Sequence, residues 1–402
     1  MDLSAFLDEE LGPNPNAPAP RPKPDQPGYL EWDGTTGYLN SGVITGGQPA
    51  DFDALLTRFG LDPDEVMIVG HPQLRMWDVA GQPEPARYYR ISIAARLKDA
   101  PAMPNLDRLV KRFKRAKTKQ PNREDTAKIV CFSDLQAGKS DHRGGSQELI
   151  DRTAETFELL SEDMARERPA TVLWADVGDV VEEFNSGGGF PSQATSNDLS
   201  LMDQLELAAT IEAAGISRVA RYADEVIVAG VGSNHCRWRA GKSDLGNPAD
   251  DWGLFILKQI QRQFAGRKKY RHVRFVLPEA YAEHVAVDIF DTRVGIVHGH
   301  QARQQNKIGE WWGKQSHGGS SLGDCDLLIA GHYHNYATYP SGRSAHTGRE
   351  KRVYVCPTLD NGSSWFRNGP AGSDSDPGLL TINLRRGIGV TNTSVLRPGR
   401  WQ

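Results

Sequence analysis

From Asp125 onward, short apolar runs alternate with longer amphipathic stretches. IVCFSD, TVLWADVGD, EVIVAGVGSNH, VGIVHGH and DLLIAGHYH each run apolar for a few residues and then break at Gly, Asp, Asn or His, as buried strands do. Between several of them, SQELIDRTAETFELLSEDMARE, LSLMDQLELAATIEAAGISRVARYA and DWGLFILKQIQRQFAG place apolar residues at helical spacing. VYVCPT, GLLTINL and GVTNTSVL add strands at the end. This alternation predicts an α/β fold, a strand–helix sandwich whose active groups lie where strands end.

The upstream pattern differs. Residues 12–28 hold seven prolines in 17 positions, the composition of an extended linker rather than a core. The acidic DLSAFLDEEL ahead of it reads as a frayed tail, or as a tethered peptide that docks on a partner protein. Residues 29–105 regain aromatic and β-branched residues, with DFDALLTRFGLDPDE as a short helix closed by Gly60, and predict a small α+β module without identifiable chemistry. Residues 106–125 crowd Arg108, Lys111, Arg112, Lys114, Arg115, Lys117 and Lys119 around Leu106, Leu109, Val110 and Phe113, a basic amphipathic helix. It reads as a solvated helix face or as a phosphate-backbone contact. The organisation expected is therefore 1–28 peptide and linker, 29–105 module, 106–125 basic helix and linker, and 126–402 the strand–helix domain.

Composition narrows this only slightly. The 402 residues, 38% hydrophobic and 24% charged with a net charge of −4, fit two or three globular domains and exclude a uniformly basic coat. No apolar run approaches the roughly 18 residues that span a bilayer, and the acidic N-terminus lacks a secretion signal. Cys131, Cys236, Cys325 and Cys356 form no C-x-x-C pair, so a disulfide scaffold is not expected. A cytoplasmic protein without membrane contact is the expectation.

Five strand ends carry metal-ligand chemistry: Ser133-Asp134-Leu135-Gln136, Gly178-Asp179, Gly232-Ser233-Asn234-His235, His298-Gly299-His300 and Gly331-His332-Tyr333-His334. Singly, each is ordinary, because an aspartate after a strand is usually a cap or turn residue. Together they place two carboxylates, an amide oxygen and several imidazoles at the rim of what is expected to be one sheet, a donor set for two adjacent divalent cations. Strand alternation would put His332 and His334 on one side. Gly178 and Gly331 would let the backbone turn and approach closely.

These motifs resemble those of the calcineurin-like metallophosphoesterase superfamily, D-x-H, G-D-x-x-D/E, G-N-H, H-G-x and G-H-x-H, over roughly residues 126–365. The resemblance implies a four-layer α/β/β/α sandwich of two mixed sheets. It also implies Asp179 as the carboxylate bridging two metals. Asp134, Gln136 and His334 would stand at the first metal, and Asn234, His298 and His332 at the second. His235 would be the phosphate-contacting acid and His300 a further phosphate or outer contact. CPTLDNGSSW resembles the loop after the last motif, with its usual proline-glycine-serine altered. Two positions depart from the pattern: Gln136 replaces a histidine, and Ser233 intervenes between Gly232 and Asn234. A glutamine oxygen still suits a hard cation, which tilts the first site towards Mn2+ or Mg2+; two divalent ions are expected, Mn2+ first, with Mg2+, Fe2+ or Zn2+ as alternatives.

The implied activity is hydrolysis of phosphodiester bonds by a metal-bridging hydroxide, with His235 protonating the leaving oxygen. Cations and aromatics near the motifs, Arg237, Trp238, Arg239 and Lys242 after motif three and Trp311 and Trp312 after His300, suit bases and phosphates. A nucleic-acid substrate and a nuclease-like branch are therefore expected. The layout is similar to phosphoesterases carried by bacteriophages, which would place the protein in a host cytoplasm. A small- or cyclic-nucleotide phosphodiesterase, and a catalytically silent binding module with this fold, are the alternatives.

Overall fold

The computed structural model describes residues 27–45, 51–79, 84–95, 123–184, 196–240, 243–368 and 374–399. The acidic N-terminal peptide, most of the proline-rich linker, the basic segment from Arg108 to Lys119 and the glycine-rich stretch after Phe184 lie outside them. The chain divides into two compact units, Met1–Ala100 and Pro101–Gln402.

The described residues of the first unit form an antiparallel sheet and a helix. Strands β1 (Tyr29–Trp32), β2 (Thr36–Ile44), β3 (Val66–Trp77) and β4 (Ala86–Ala95) pair in the order β1-β2-β4-β3. Helix α1 (Phe52–Arg58) is capped by the Asp51 side chain, which accepts from the N–H groups of Asp53 and Ala54. Its Leu55 and Leu56 pack on Leu39, Ile91 and Ile93 from the sheet.

The second unit holds the strand-end motifs. In chain order it runs β5 (Arg123–Phe132), α2 (Ser146–Glu167), β6 (Pro169–Asp176), α3 (Leu201–Val219), β7 (Glu225–Gly230), the short β8 (Arg239–Ala240) and β9 (Ser243–Asp244), and α4 (Trp252–Phe264). Then come β10 (Val273–Val276), β11 (His284–Ile289), β12 (Thr292–Val297), α5 (Ile308–His317), β13 (Leu327–Ala330), β14 (Ala337–Arg343), β15 (Glu350–Val355), α6 (Ser364–Asn368), β16 (Leu379–Arg385) and β17 (Gly389–Leu396). Six strands pair in the order β10-β7-β6-β5-β16-β17, and five in the order β11-β12-β13-β15-β14. β14 carries Pro340, which is tolerated because the strand lies at a sheet edge.

Alternate faces of each sheet explain the packing. Val130, Val172, Trp174 and Val228 of the six-stranded sheet pack with Phe157 and Leu160 of α2, Ile211 of α3 and Leu257 of α4. Their neighbours Ile129, Leu173 and Ile227 point the other way, into a cluster with Val287, Ile296 and Ile329 of the five-stranded sheet. The far face of that second sheet, with Leu328 and Val353, packs on Ile308 and Trp312 of α5. Among the described residues, no helix is long and apolar enough to cross a membrane.

Gly215 of α3 faces the rings of Trp174 and Phe157 so closely that a Cβ there would overlap Trp174 and lie 2.8 Å from Phe157 Cζ. Gly215→Val is expected to cost about 1–3 kcal/mol by overpacking, measured as a lowered urea midpoint at unchanged slope.

Candidate metal centre

The motif-bearing strands run parallel within each sheet, so their carboxyl ends gather on one side. β5, β6 and β7 deliver Asp134, Asp179 and Asn234, whereas β12 and β13 deliver His298, His332 and His334. The expectation of a single sheet rim is thus corrected: two facing sheets contribute their edges. The reason given for His332 and His334 is corrected too. β13 ends at Ala330, and both histidines follow it in left-handed backbone, φ 70° and 55°.

That backbone is a property of the whole site. Of the nine non-glycine residues with positive φ among those described, five are Asp134, Gln136, Asp179, His332 and His334. Such conformations are uncommon for side-chain-bearing residues and gather where function over-determines the geometry. Two glycines make the approach possible. Gly178 has φ +97°, and a Cβ there would lie 2.5 Å from Ser233 Cβ. A Cβ on Gly331 would lie 2.5 Å from Asp134 Oδ2.

Asp179, His298 and His332 bring ligand atoms within 4.8 Å of one another. His298 Nδ1 lies 2.8 Å from the Val177 carbonyl, which only accepts, so the ring proton sits there and Nε2 carries a lone pair. That Nε2 lies 2.8 Å from Asn234 Oδ1 and 2.9 Å from Asp179 Oδ2. Asp179 Oδ2 is buried without a hydrogen-bond partner. With the ring neutral, its contact with His298 sets two electron-rich atoms face to face, which only a cation or a second ring proton relieves. Three acceptors converging in a buried pocket require positive charge, and their mixed oxygen and nitrogen chemistry fits a divalent transition-metal cation.

Backbone and side chains hold this cradle firmly. Asp179 N–H donates to Ser233 Oγ at 2.9 Å, Ser233 N–H donates to Asp251 Oδ2, and His235 N–H donates to Asp179 Oδ1. Ser233, the extra residue in motif three, therefore supports the main chain of Asp179. His235 Nδ1 lies 2.9 Å from the Glu182 carbonyl, which leaves Nε2 facing the site, 3.4 Å from Gln136 Nε2 and 4.0 Å from Asp179 Oδ2.

The other donor group is arranged differently. Asp134 accepts from Ser133 Oγ and, at 3.0 Å, from His332 N–H, and its Oδ1 lies 3.3 Å from His334 Nε2. His334 Nδ1 faces Asp360 Oδ2 at 3.1 Å. The same Asp360 oxygen accepts from Lys139 Nζ at 2.6 Å, and Lys139 also donates to Gln136 Oε1 at 2.6 Å. Burial opposes the Lys139 ammonium, but Asp360 and Glu182 raise its pKa. Burial would raise Asp360 as well, yet Lys139 and His334 hold it below the usual carboxylate range. Arg152 of α2 clamps this loop through the carbonyls of Leu359 and Asp360. Sequence reading missed Lys139, Asp360 and Arg152. An LQAGK run with a lysine three residues after Gln136 was the available signal.

The expected substrate side chains are less uniformly placed. His300 Nε2 accepts from Arg237 Nη2 at 3.1 Å, so its proton sits on Nδ1, which is buried without a partner. Burial, with His298 and Arg237 nearby, pushes the His300 pKa down to about 2. Arg237 also pairs with Asp244 and Glu283, and Arg239 pairs with Asp244 at 2.7 Å, so both are partly neutralised. Trp312 is corrected. It is 1% exposed, donates from Nε1 to the Leu322 carbonyl, and fills the core beneath α5, where no base reaches its face. Trp311 is partly buried against that core. Trp238, by contrast, is 49% exposed.

In the cation-free cradle, protons must supply the charge. Burial opposes both imidazolium ions, but Asp179 pushes His298 up to about 9, and Asp134 and Asp360 push His334 up to about 9. Both values exceed the unperturbed 6.5, so this stabilisation is complete below about pH 6.5 and is lost as the pH rises through about 9. The melting temperature of chelator-treated protein should fall over that window, and saturating Mn2+ should flatten the His298 part of the fall. A flat profile in chelator would contradict the reading of these contacts.

No protein-family model matches the sequence, and no curated protein does. Solved structures do. Vacuolar Protein Sorting 29 from Cryptosporidium parvum is 15% identical over 68% of this chain and 97% of its own, with TM-score 0.29. A predicted phosphoesterase from Streptococcus pneumoniae is 9% identical over 68% and 99%, with TM-score 0.25. A purple acid phosphatase from yellow lupin seeds is 13% identical over 91% and 73%, with TM-score 0.31. At these identities and TM-scores they contribute no residue assignment.

Proposed function

We propose that the second unit hydrolyses phosphodiester bonds at a metal centre built around Asp179, with nucleic acid as the substrate class. The observation that carries the reading is the convergence of Asp179 Oδ2, Asn234 Oδ1 and the His298 Nε2 lone pair, with His332 alongside. The succession of helices, two facing sheets and α5 is read as the four-layer sandwich that the motifs imply.

Asp179, Asn234, His298 and His332 would hold the cation, and Mn2+ is assigned first because carboxylate, amide and imidazole donors mix there. When bound, such an ion supplies Lewis-acid neutralisation of phosphoryl charge and an acidified water. The remaining work falls to the chain. The Glu182 carbonyl accepts from His235 Nδ1, so Nε2 points into the site, where the ring once doubly protonated would offer a proton to the leaving oxygen. His300 Nδ1–H is a spare buried donor for a phosphoryl oxygen. Arg237 fixes the His300 tautomer from outside. Trp238, three residues beyond His235 and half exposed, is the tryptophan placed to stack on a base, whereas Trp312 is buried.

Manganese-dependent hydrolysis of an aryl phosphodiester and of labelled single- and double-stranded DNA tests this directly. Wild type should cleave them, and Asp179→Asn should lose roughly 100-fold or more. Cleavage of the aryl diester without DNA would leave a small-nucleotide phosphodiesterase, and no turnover by metal-loaded protein would leave the binding module. Trp238→Ala should weaken single-stranded DNA binding by roughly 5- to 100-fold while aryl diester turnover stays unchanged.

A further inference from the structure

The two halves of the expected centre differ in one respect that the motifs hide. At the Asp179–Asn234–His298–His332 cradle, unshared electron pairs face one another. At the Asp134–Gln136–His334 side, one of the three donors is turned away. Lys139 can only donate, so the Gln136 atom 2.6 Å from its Nζ must be the carbonyl oxygen. The Gln136 amide NH2 is then the group that faces the site, 3.4 Å from His235 Nε2. An NH2 group has no lone pair for a cation and presents positive hydrogens to it. The ammonium that turns it is itself anchored, because Asp360 Oδ2 bridges Lys139 Nζ and His334 Nδ1 at 2.6 and 3.1 Å. Gln136 and Lys139 are both nearly inaccessible, at 2% and 7% exposure, and Asn361 Nδ2 donates to the Lys139 carbonyl. The arrangement is thus built in three layers, from the Asp360 loop through Lys139 to the Gln136 amide.

We propose that the centre takes a single divalent cation, in the Asp179–Asn234–His298–His332 cradle, and that Lys139 replaces the other cation by turning Gln136 into a neutral hydrogen-bond donor toward the phosphoryl oxygen. This rests on the phosphodiesterase reading above. It replaces the expected pair of metals with one metal and one ammonium-clamped amide. A second dication beside Gln136 would lose a ligand and meet an ammonium one side chain away, with little water between to screen the repulsion. Lys139 is a positioning residue here, and Gln136 is the residue that touches substrate. The chemistry favours a substrate phosphate whose non-bridging oxygen accepts from the Gln136 NH2 while its other oxygen is neutralised at the cradle.

Bound metal decides the matter. Full-length protein stripped with chelator, reloaded with Mn2+ and desalted would be assayed by elemental analysis and by calorimetric titration, with melting curves to verify folding. Wild type should retain one equivalent and His298→Ala none. Gln136→Leu should retain one with unchanged affinity, while its kcat on the aryl diester falls roughly 10- to 100-fold. Replacing the clamp in Gln136→His with Lys139→Ala should admit a second equivalent. Two equivalents in wild type would overturn the inference and leave the phosphodiesterase reading standing. A weakened first equivalent in Gln136→Leu would overturn it as well, because Gln136 would then be a ligand. Failure of the folded double variant to take a second ion would overturn the role given to Lys139. No bound metal in folded wild type would remove the phosphodiesterase reading itself. If the double variant does not fold, wild type and Gln136→Leu decide alone.

Discussion

A buried carboxylate that faces a histidine lone pair and an amide oxygen cannot rest there without positive charge, and Asp179 is that carboxylate. Much of the surrounding design follows from it. Gly178 opens the room for its backbone, Ser233 receives its N–H, Asp251 receives the N–H of Ser233, and Val177 fixes the His298 tautomer. Each contact removes a degree of freedom by which the acceptors would otherwise separate. The cradle is thus kept electron-rich by geometry.

Holding that geometry has a local cost. Left-handed backbone at Asp134, Gln136, Asp179, His332 and His334 carries strain of roughly 1–3 kcal/mol per residue where it is sparsely populated. The apolar clusters on both faces of the six-stranded sheet offset it, since the motif loops leave those strands within a few residues of fully buried Val130, Trp174 and Val228. The loops are short, so the rigidity of the strands reaches these side chains. The facing sheets then matter as a pair. Neither edge alone carries the three side chains whose ligand atoms come within 4.8 Å of one another.

The motifs also look more symmetrical than the site is. Asp134 and His334 sit in a network that already contains an ammonium, a loop aspartate and a clamping arginine. Buried ion pairs of this kind add little net stability, because desolvation consumes most of the attraction. They do specify orientation. The orientation specified here is that of the Gln136 amide, which the residue type alone leaves open.

Much of this was legible in the chain. The apolar runs foretold the strands that lead into Asp134, Asp179, Asn234, His298 and His332, and SQELIDRTAETFELLSEDMARE spans the residues of α2, because buried strands and amphipathic helices impose periods of two and 3.6 on their own side chains. The spacing of ligand residue types was likewise local information. What tertiary structure decided is which strands share a sheet, that Trp312 lies under α5 while Trp238 stays exposed, and that Lys139 reaches Gln136 and, 221 residues along the chain, Asp360. A residue's type states which atoms it can offer, whereas the atom it turns toward a site is chosen by neighbours far away in sequence, through contacts that leave no period in the chain.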